Sequence, residues 1–90
     1  MIGIAVVGYG YWGPNLVRNI SEAAGAHLVS VCDLNSERLA AVQSRYPAIK
    51  TTSDFEEVLR DQTVDAIAIA TPVSSHFRLA MQALMAGKHV

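Results

Sequence analysis

Four times along the chain a short apolar run gives way to a longer stretch in which apolar residues return every three or four positions. The runs are Ile2–Val7, His27–Cys32, Ile49–Thr51 and Val64–Ala70, and the periodic stretches are Asn15–Ala24, Ser36–Tyr46, Asp54–Arg60 and Ser75–Ala86. Runs of that length predict strands and the 3.6-residue period predicts helices. Their regular alternation predicts βαβ units in a parallel sheet. Leu28-Val29-Ser30-Val31-Cys32 and Ala66-Ile67-Ala68-Ile69-Ala70 are almost continuously apolar, the pattern of strands covered by helices on both faces. Lys88-His89-Val90 reads as the start of a fifth strand.

Punctuation residues support these elements. Pro14 suits a first helical turn, where its missing N–H is no loss. Leu16, Ile20 and Ala23 or Ala24 then form an apolar stripe, as do Leu39, Val42 and Tyr46 in the second helix, which Pro47 stops. Ser53 and Glu56 have capping-box spacing ahead of Phe55, Val58 and Leu59. Ser74 or Ser75 is the expected cap of the fourth helix. Its predicted buried stripe is Phe77, Ala80 or Met81, and Leu84, and Gly87 is its left-handed stop.

Between the first strand and first helix lies Gly8-Tyr9-Gly10-Tyr11-Trp12-Gly13, with Asp33 twenty positions after the last glycine. Strand, glycine turn, helix and downstream acid in that order form a dinucleotide-binding fingerprint. The first glycine permits the tight turn, the second lets a pyrophosphate approach the backbone, and the third lets helix pack on strand. The fold expected is a Rossmann-like, doubly wound α/β sheet of order 3-2-1-4 with a stub of strand 5. One dinucleotide-binding domain spans residues 1–90, incomplete at its C-terminal end and without a substrate domain. In that order the outer edge of strand 4 has only the stub beside it, and self-association through it is expected.

Composition narrows the chemistry. The net charge of −1 leaves no basic footprint for nucleic acid. No apolar stretch approaches the roughly 18 residues of a membrane span, and no basic segment opens the chain. Cys32 is the only cysteine, which excludes an internal disulfide and suits a reducing cytoplasm; it reads as a small buried hydrophobe. The histidines are too scattered to assemble a metal site.

In the expected topology the loops after strands 1 and 4 face each other across the switch point, so a ligand lies between them. The amides of Gly10, Tyr11 and Trp12 then point at a pyrophosphate, aided by the positive end of the helix that begins near Gly13. Asp33 is placed to accept hydrogen bonds from both adenosine ribose hydroxyls, or else caps the next helix. Its charge opposes a 2′-phosphate and so favours NAD over NADP. Arg38 is within reach of adenine or phosphate, or is merely a solvated helical residue. Thr71 and Pro72 border the other half of the ligand, and His76, one turn into the fourth helix, is a candidate for its nicotinamide end. Asn15 is either a cap or a ligand contact.

Val7 through Asn15, Cys32-Asp33-Leu34-Asn35, Ala70-Thr71-Pro72-Val73-Ser74-Ser75-His76 and the terminal Ala86-Gly87-Lys88-His89-Val90 together resemble the Gfo/Idh/MocA oxidoreductases over the whole chain. The Tyr-Trp-Gly-Pro-Asn segment is most similar to members acting on sugars and nucleotide sugars. The resemblance implies an NAD-dependent enzyme that moves hydride between nicotinamide and a hydroxyl-bearing carbon. It also implies a later Glu-Lys-Pro motif with a catalytic lysine and a substrate domain, neither of which occurs in these residues. Lys88, ahead of that motif, is not the catalytic lysine, and the catalytic residues are unknown. Cofactor binding without turnover is expected of the chain alone. The competing class is a stand-alone NAD(H)-sensing module, which shares the glycine turn and acid but lacks the pattern from Thr71 to Val90. A methyltransferase normally carries an acid just before the glycines, where Val6 and Val7 stand.

Overall fold

All 90 residues are described in the computed structural model. The elements are β1 (Ile2–Val7), α1 (Gly13–Glu22), β2 (Ala26–Cys32), α2 (Ser36–Arg45), β3 (Lys50–Thr52), α3 (Phe55–Arg60), β4 (Ala66–Ile69) and α4 (Val73–Met85). The four strands form one parallel sheet in the order β3-β2-β1-β4, as the alternation predicts. A fifth-strand stub is present as a single parallel bridge between His89 and Ala66.

The sheet separates two cores. Ala5, Val7, Val29, Ile67 and Cys32 pack with Val58 of α3 and Leu79 and Ala83 of α4. On the opposite face Val6, Leu28 and Val31 pack with Val17 of α1 and Val42 of α2. Both faces of β1 and β2 are therefore covered, which is why their sequences are almost continuously apolar. Pairing between these strands slips once, because Ile4 faces Leu28 and Ala5 faces Ser30. Val29 is the extra residue, a bulge that resets the alternation.

Several expected details differ. α1 begins at Gly13 rather than Asn15, so Asn15 lies inside the first turn and does not cap it. The cap of α3 is Asp54, whose side chain accepts from the amide of Glu56 at 3.0 Å, and the Ser53 capping box does not form. Neither Ser74 nor Ser75 caps α4, because the helix starts at Val73, directly after Pro72. Leu79 and Ala83 face inward in the core, and Phe77 faces outward, where it is 78 % exposed. Met81 and Leu84 are exposed with it. Gly87 takes the expected left-handed conformation, φ 81°.

At the end of the sheet where β4 begins, the Lys88 ammonium donates to the carbonyls of Asp61 and Val64, both at 2.7 Å. Nearby, Asp61 accepts from the Thr63 hydroxyl at 2.6 Å, the Thr63 amide at 2.9 Å and Lys50 Nζ at 3.0 Å. The hydroxyl bond, then the amide bond and then Lys50 hold its carboxyl down at about 2. A carboxyl lowered by folding stabilises the fold above its ordinary value of 3.8 and loses that contribution as pH falls through about 2. Thr63→Val, which removes the hydroxyl, is therefore expected to melt below the parent chain near neutral pH. That difference in melting temperature should close between about pH 4 and pH 2; a gap independent of pH contradicts the assignment.

Candidate functional site

The loops leaving β1 and β4 meet at Gly8. This glycine has φ 101°, and a Cβ there would lie 2.8 Å from the carbonyl carbon of Ala70 and 2.9 Å from the amide nitrogen of Thr71. A side chain would part the two loops. Gly13 is closed in the same way, since a Cβ on it would strike the carbonyl of Gly8; helix α1 can start this near the strand only without one. At Gly10 the added atom would meet only the mobile Arg38 guanidinium, 3.3 Å away. Gly10 thus borders open space, with the Arg38 guanidinium across from it.

That space is a cleft of about 820 Å³ along the C-terminal ends of the strands. Gly8, Gly10, Tyr11, Trp12, Asp33, Arg38, Thr71 and Pro72 all line it, as the sequence predicts. A smaller cavity of about 300 Å³ beside β3 is lined by Lys50 and Asp61 and contains none of these residues.

The loop amides divide into two groups. Gly8 N–H donates to the carbonyl of Cys32 and Tyr9 N–H to Asp33 Oδ2, both at 2.7 Å. The next three, on Gly10, Tyr11 and Trp12, donate to no acceptor in the protein. Trp12 is the N-cap of α1 and its side chain makes no capping bond. Consecutive unpaired amides ahead of an uncapped helix form a concave, electropositive seat for an anion. The rings of Tyr11 and Trp12 meet edge to face, 4.9 Å between centroids, and both are largely exposed at the cleft rim.

Asp33 faces this seat. Its side chain is only 7 % exposed, and Oδ1 accepts from the amide of Asn35 at 2.8 Å. The cap of α2 is Asn35, which accepts from the amides of Glu37 and Arg38, so Asp33 is not spent on the helix. Arg38 Nη1 stands 3.7 Å from Asp33 Oδ2. Beneath them Cys32 is buried, and burial first, then the Asp33 charge, pushes its thiol up to about 11. Such a thiol is protonated and inert at neutral pH.

Two of the expected site residues do not line the cleft. Gly13 acts by close packing. His76 turns back to the loop, with Nε2 2.6 Å from the carbonyl of Thr71. A carbonyl only accepts, so Nε2 carries the proton in that contact. The Ser75 hydroxyl bonds to Thr71 Oγ1 at 2.7 Å and to the carbonyl of Pro72 at 2.9 Å. Together His76 and Ser75 brace the Thr71-Pro72 turn.

The structure adds lining residues that the sequence reading passed over, chiefly Leu34, Phe55, Val73, Arg78 and Leu79. Leu34 carried a legible signal: an apolar residue in a turn directly after the acid, 90 % exposed. Leu79 lies off the stripe predicted for the fourth helix, and Phe55 reads only as one of the apolar residues of the third, since periodicity cannot separate a core wall from a cleft wall.

A family model described as an oxidoreductase family with an NAD-binding Rossmann fold matches residues 2–90. The chain belongs to the Gfo/Idh/MocA oxidoreductase family. A 4-carboxy-2-hydroxymuconate-6-semialdehyde dehydrogenase of Sphingobium is 32% identical over 97% of this chain and 28% of its own length. Among solved structures, an NAD-binding protein from Listeria innocua is 39% identical with a TM-score of 0.91, over 99% of this chain and 26% of that one. The scyllo-inositol dehydrogenase of Lactobacillus casei, determined with NAD(H) and scyllo-inositol bound, is 27% identical with a TM-score of 0.91 over 100% of this chain and 27% of that one. The chain thus spans about a quarter of the length of these Gfo/Idh/MocA relatives. The family match runs through Thr71 to Val90, the segment that a stand-alone sensing module lacks, and the sensor reading is not favoured. The cleft fits the family's coenzyme, because its volume and the three free amides on its wall leave room and donors for a pyrophosphate.

Proposed function

We propose that the chain is the coenzyme-binding portion of an oxidoreductase that transfers hydride between NAD and a hydroxyl-bearing carbon of a sugar- or polyol-type substrate. The observation that carries this reading is the row of unpaired amides on Gly10, Tyr11 and Trp12, opposite a buried carboxylate in the same cleft. In this reading the amides and the α1 terminus hold the pyrophosphate. Asp33 receives the adenosine ribose hydroxyls through the lone pairs its backbone bonds leave free. Arg38 lies beside the same ribose or its adenine, and Leu34, Val73 and Pro72 supply apolar surface. Gly8 and Gly13 shape the loop. Thr71 and Pro72 border the ligand, with His76 acting through Thr71 rather than on the nicotinamide.

Bound NAD supplies the hydride acceptor. The protein's part is to orient it and, through Asp33, to disfavour a 2′-phosphate by like charge. Polyol and semialdehyde dehydrogenases among the relatives support a small hydroxyl- or carbonyl-bearing substrate. Lys88 is committed to carbonyls at the far end of the sheet and takes no part in proton transfer. Residues 1–90 are proposed to be a dinucleotide-binding domain that binds coenzyme without turnover, with substrate contacts made by residues outside this sequence. The single unpaired thiol suits a cytoplasmic setting, no helix is long and apolar enough to cross a membrane, and neither nucleic acid nor membrane is a proposed partner.

Calorimetric titration with NAD, NADH, NADP and S-adenosylmethionine tests the assignment. NAD and NADH are expected to bind at least about tenfold more tightly than NADP, a difference of about 1.4 kcal/mol. Equal or tighter NADP binding removes the role given to Asp33, and binding of S-adenosylmethionine alone removes the family function. Self-association is proposed at the β4 edge, where His89 alone bonds outward of the strand and Phe77, Met81 and Leu84 of α4 are exposed close by. A monodisperse monomer by light scattering at high concentration contradicts that contact.

A further inference from the structure

We infer that Asp33 is a positioning residue for the phosphate-binding turn in addition to being a ribose acceptor, a role that rests on the proposed function, because its carboxylate holds the Tyr9 amide at 2.7 Å. The turn between Gly8 and Gly13 has few anchors of its own. Gly8 has no side chain, and the amides of Gly10, Tyr11 and Trp12 are unpaired. The rings of Tyr11 and Trp12 lie in solvent. What ties the turn to the sheet is the Tyr9 ring, packed against the core that holds Val6 and Val17, with the Gly8 amide on the Cys32 carbonyl and, one residue on, the Tyr9 amide on Asp33 Oδ2. The second bond is the last fixed point before the three free amides.

The carboxylate is itself held firmly. Its backbone amide donates to the carbonyl of Thr52 on β3 at 3.1 Å, and Oδ1 is fixed by the Asn35 amide. Buried to 7 % exposure, it cannot swing away to solvent. A carboxylate offers about four acceptor positions, and the two backbone bonds use one on each oxygen. One position on each remains, matching two ribose hydroxyls. The same group can thus hold the turn and receive the sugar without exchanging one task for the other, and the amides are preorganised before any nucleotide arrives.

The two roles separate by their readouts in Asp33→Ala, whose methyl leaves neither Tyr9 N–H nor Asn35 N–H an acceptor. In the ligand-free chain, amide exchange followed by NMR is expected to speed up at Tyr9 by tenfold or more while Gly8, still bonded to Cys32, stays protected. Affinity for inorganic pyrophosphate, which has no ribose, is expected to fall severalfold, although removing a negative charge beside the seat would by itself tighten anion binding. Asp33→Ser, whose short side chain lacks both carboxylate oxygens, gives the same readings where the alanine variant does not fold. Unchanged Tyr9 exchange, or pyrophosphate binding that is equal or tighter with only NAD weakened, overturns the positioning role and leaves Asp33 a ribose acceptor. The exchange measurement needs no nucleotide, so it stands apart from the NAD reading on which the pyrophosphate arm rests; a parent chain that binds neither NAD nor pyrophosphate refutes that reading alone.

Discussion

Gly10→Ala is expected to keep the fold and lose the coenzyme. Its backbone is not in the left-handed region, and the added Cβ would touch only the end of the flexible Arg38 side chain. The thermal midpoint should therefore move by no more than a few degrees, and the small-residue substitution even lowers the entropy of the unfolded chain. The same methyl, however, crowds the Arg38 guanidinium, 3.3 Å away, in the cleft that the free amides face. A pyrophosphate pushed away from one charge-assisted hydrogen bond, worth about 1.5 to 3 kcal/mol, should weaken NAD binding roughly tenfold to a hundredfold. Calorimetric titration beside a melting curve checks both halves, and unaltered NAD affinity would show that the anion does not rest here.

Gly8→Ala should do the reverse, failing first as a fold. At φ 101° an alanine is strained, and its methyl would lie 2.8 Å from main-chain atoms of the β4 loop, which cannot rotate aside as a side chain can. Backbone strain of about 1 to 3 kcal/mol, with the overlap added, sets a loss of about 2 to 4 kcal/mol. For a domain of this size that lowers the melting temperature by roughly 10 to 25 °C. A midpoint within a few degrees of the parent's would show that the two loops are free to separate.

Opposite expectations for two glycines in one motif show what was legible in advance and what was not. The sheet order and the cleft between two loops followed from alternation and the glycine spacing, because a parallel strand buried on both faces leaves an unmistakable apolar run. Asp33 was placed correctly beside the phosphate turn, yet its bond to Tyr9 was invisible, since it joins residues twenty-four apart. α4 exposed the weakness of periodicity. Phe77, Met81 and Leu84 form as good a helical stripe as Leu79 and Ala83, and only packing against the sheet decides which of the two faces it. His76 was misplaced for a related reason: its position near the cleft was right, and the nearest carbonyl took its ring. A single turn of chain with serines on either side also concealed the caps, because Asp54 and Pro72 were equally able to begin their helices.

The extra residue in β2 bears on where the nucleotide can sit. Were the strand regular, with Ala26 through Leu28 paired as they are, Val7 would stand against Val31 instead of Cys32. Asp33 would then overshoot the turn by one rise, about 3.3 Å, and emerge on the opposite side of the sheet. Val29 takes up that slack inside the barrier between the two helical layers. A misfit in the ladder far from solvent thus sets the reach of the one acid in the cleft, and the length of β2 is a constraint on coenzyme geometry as much as on packing.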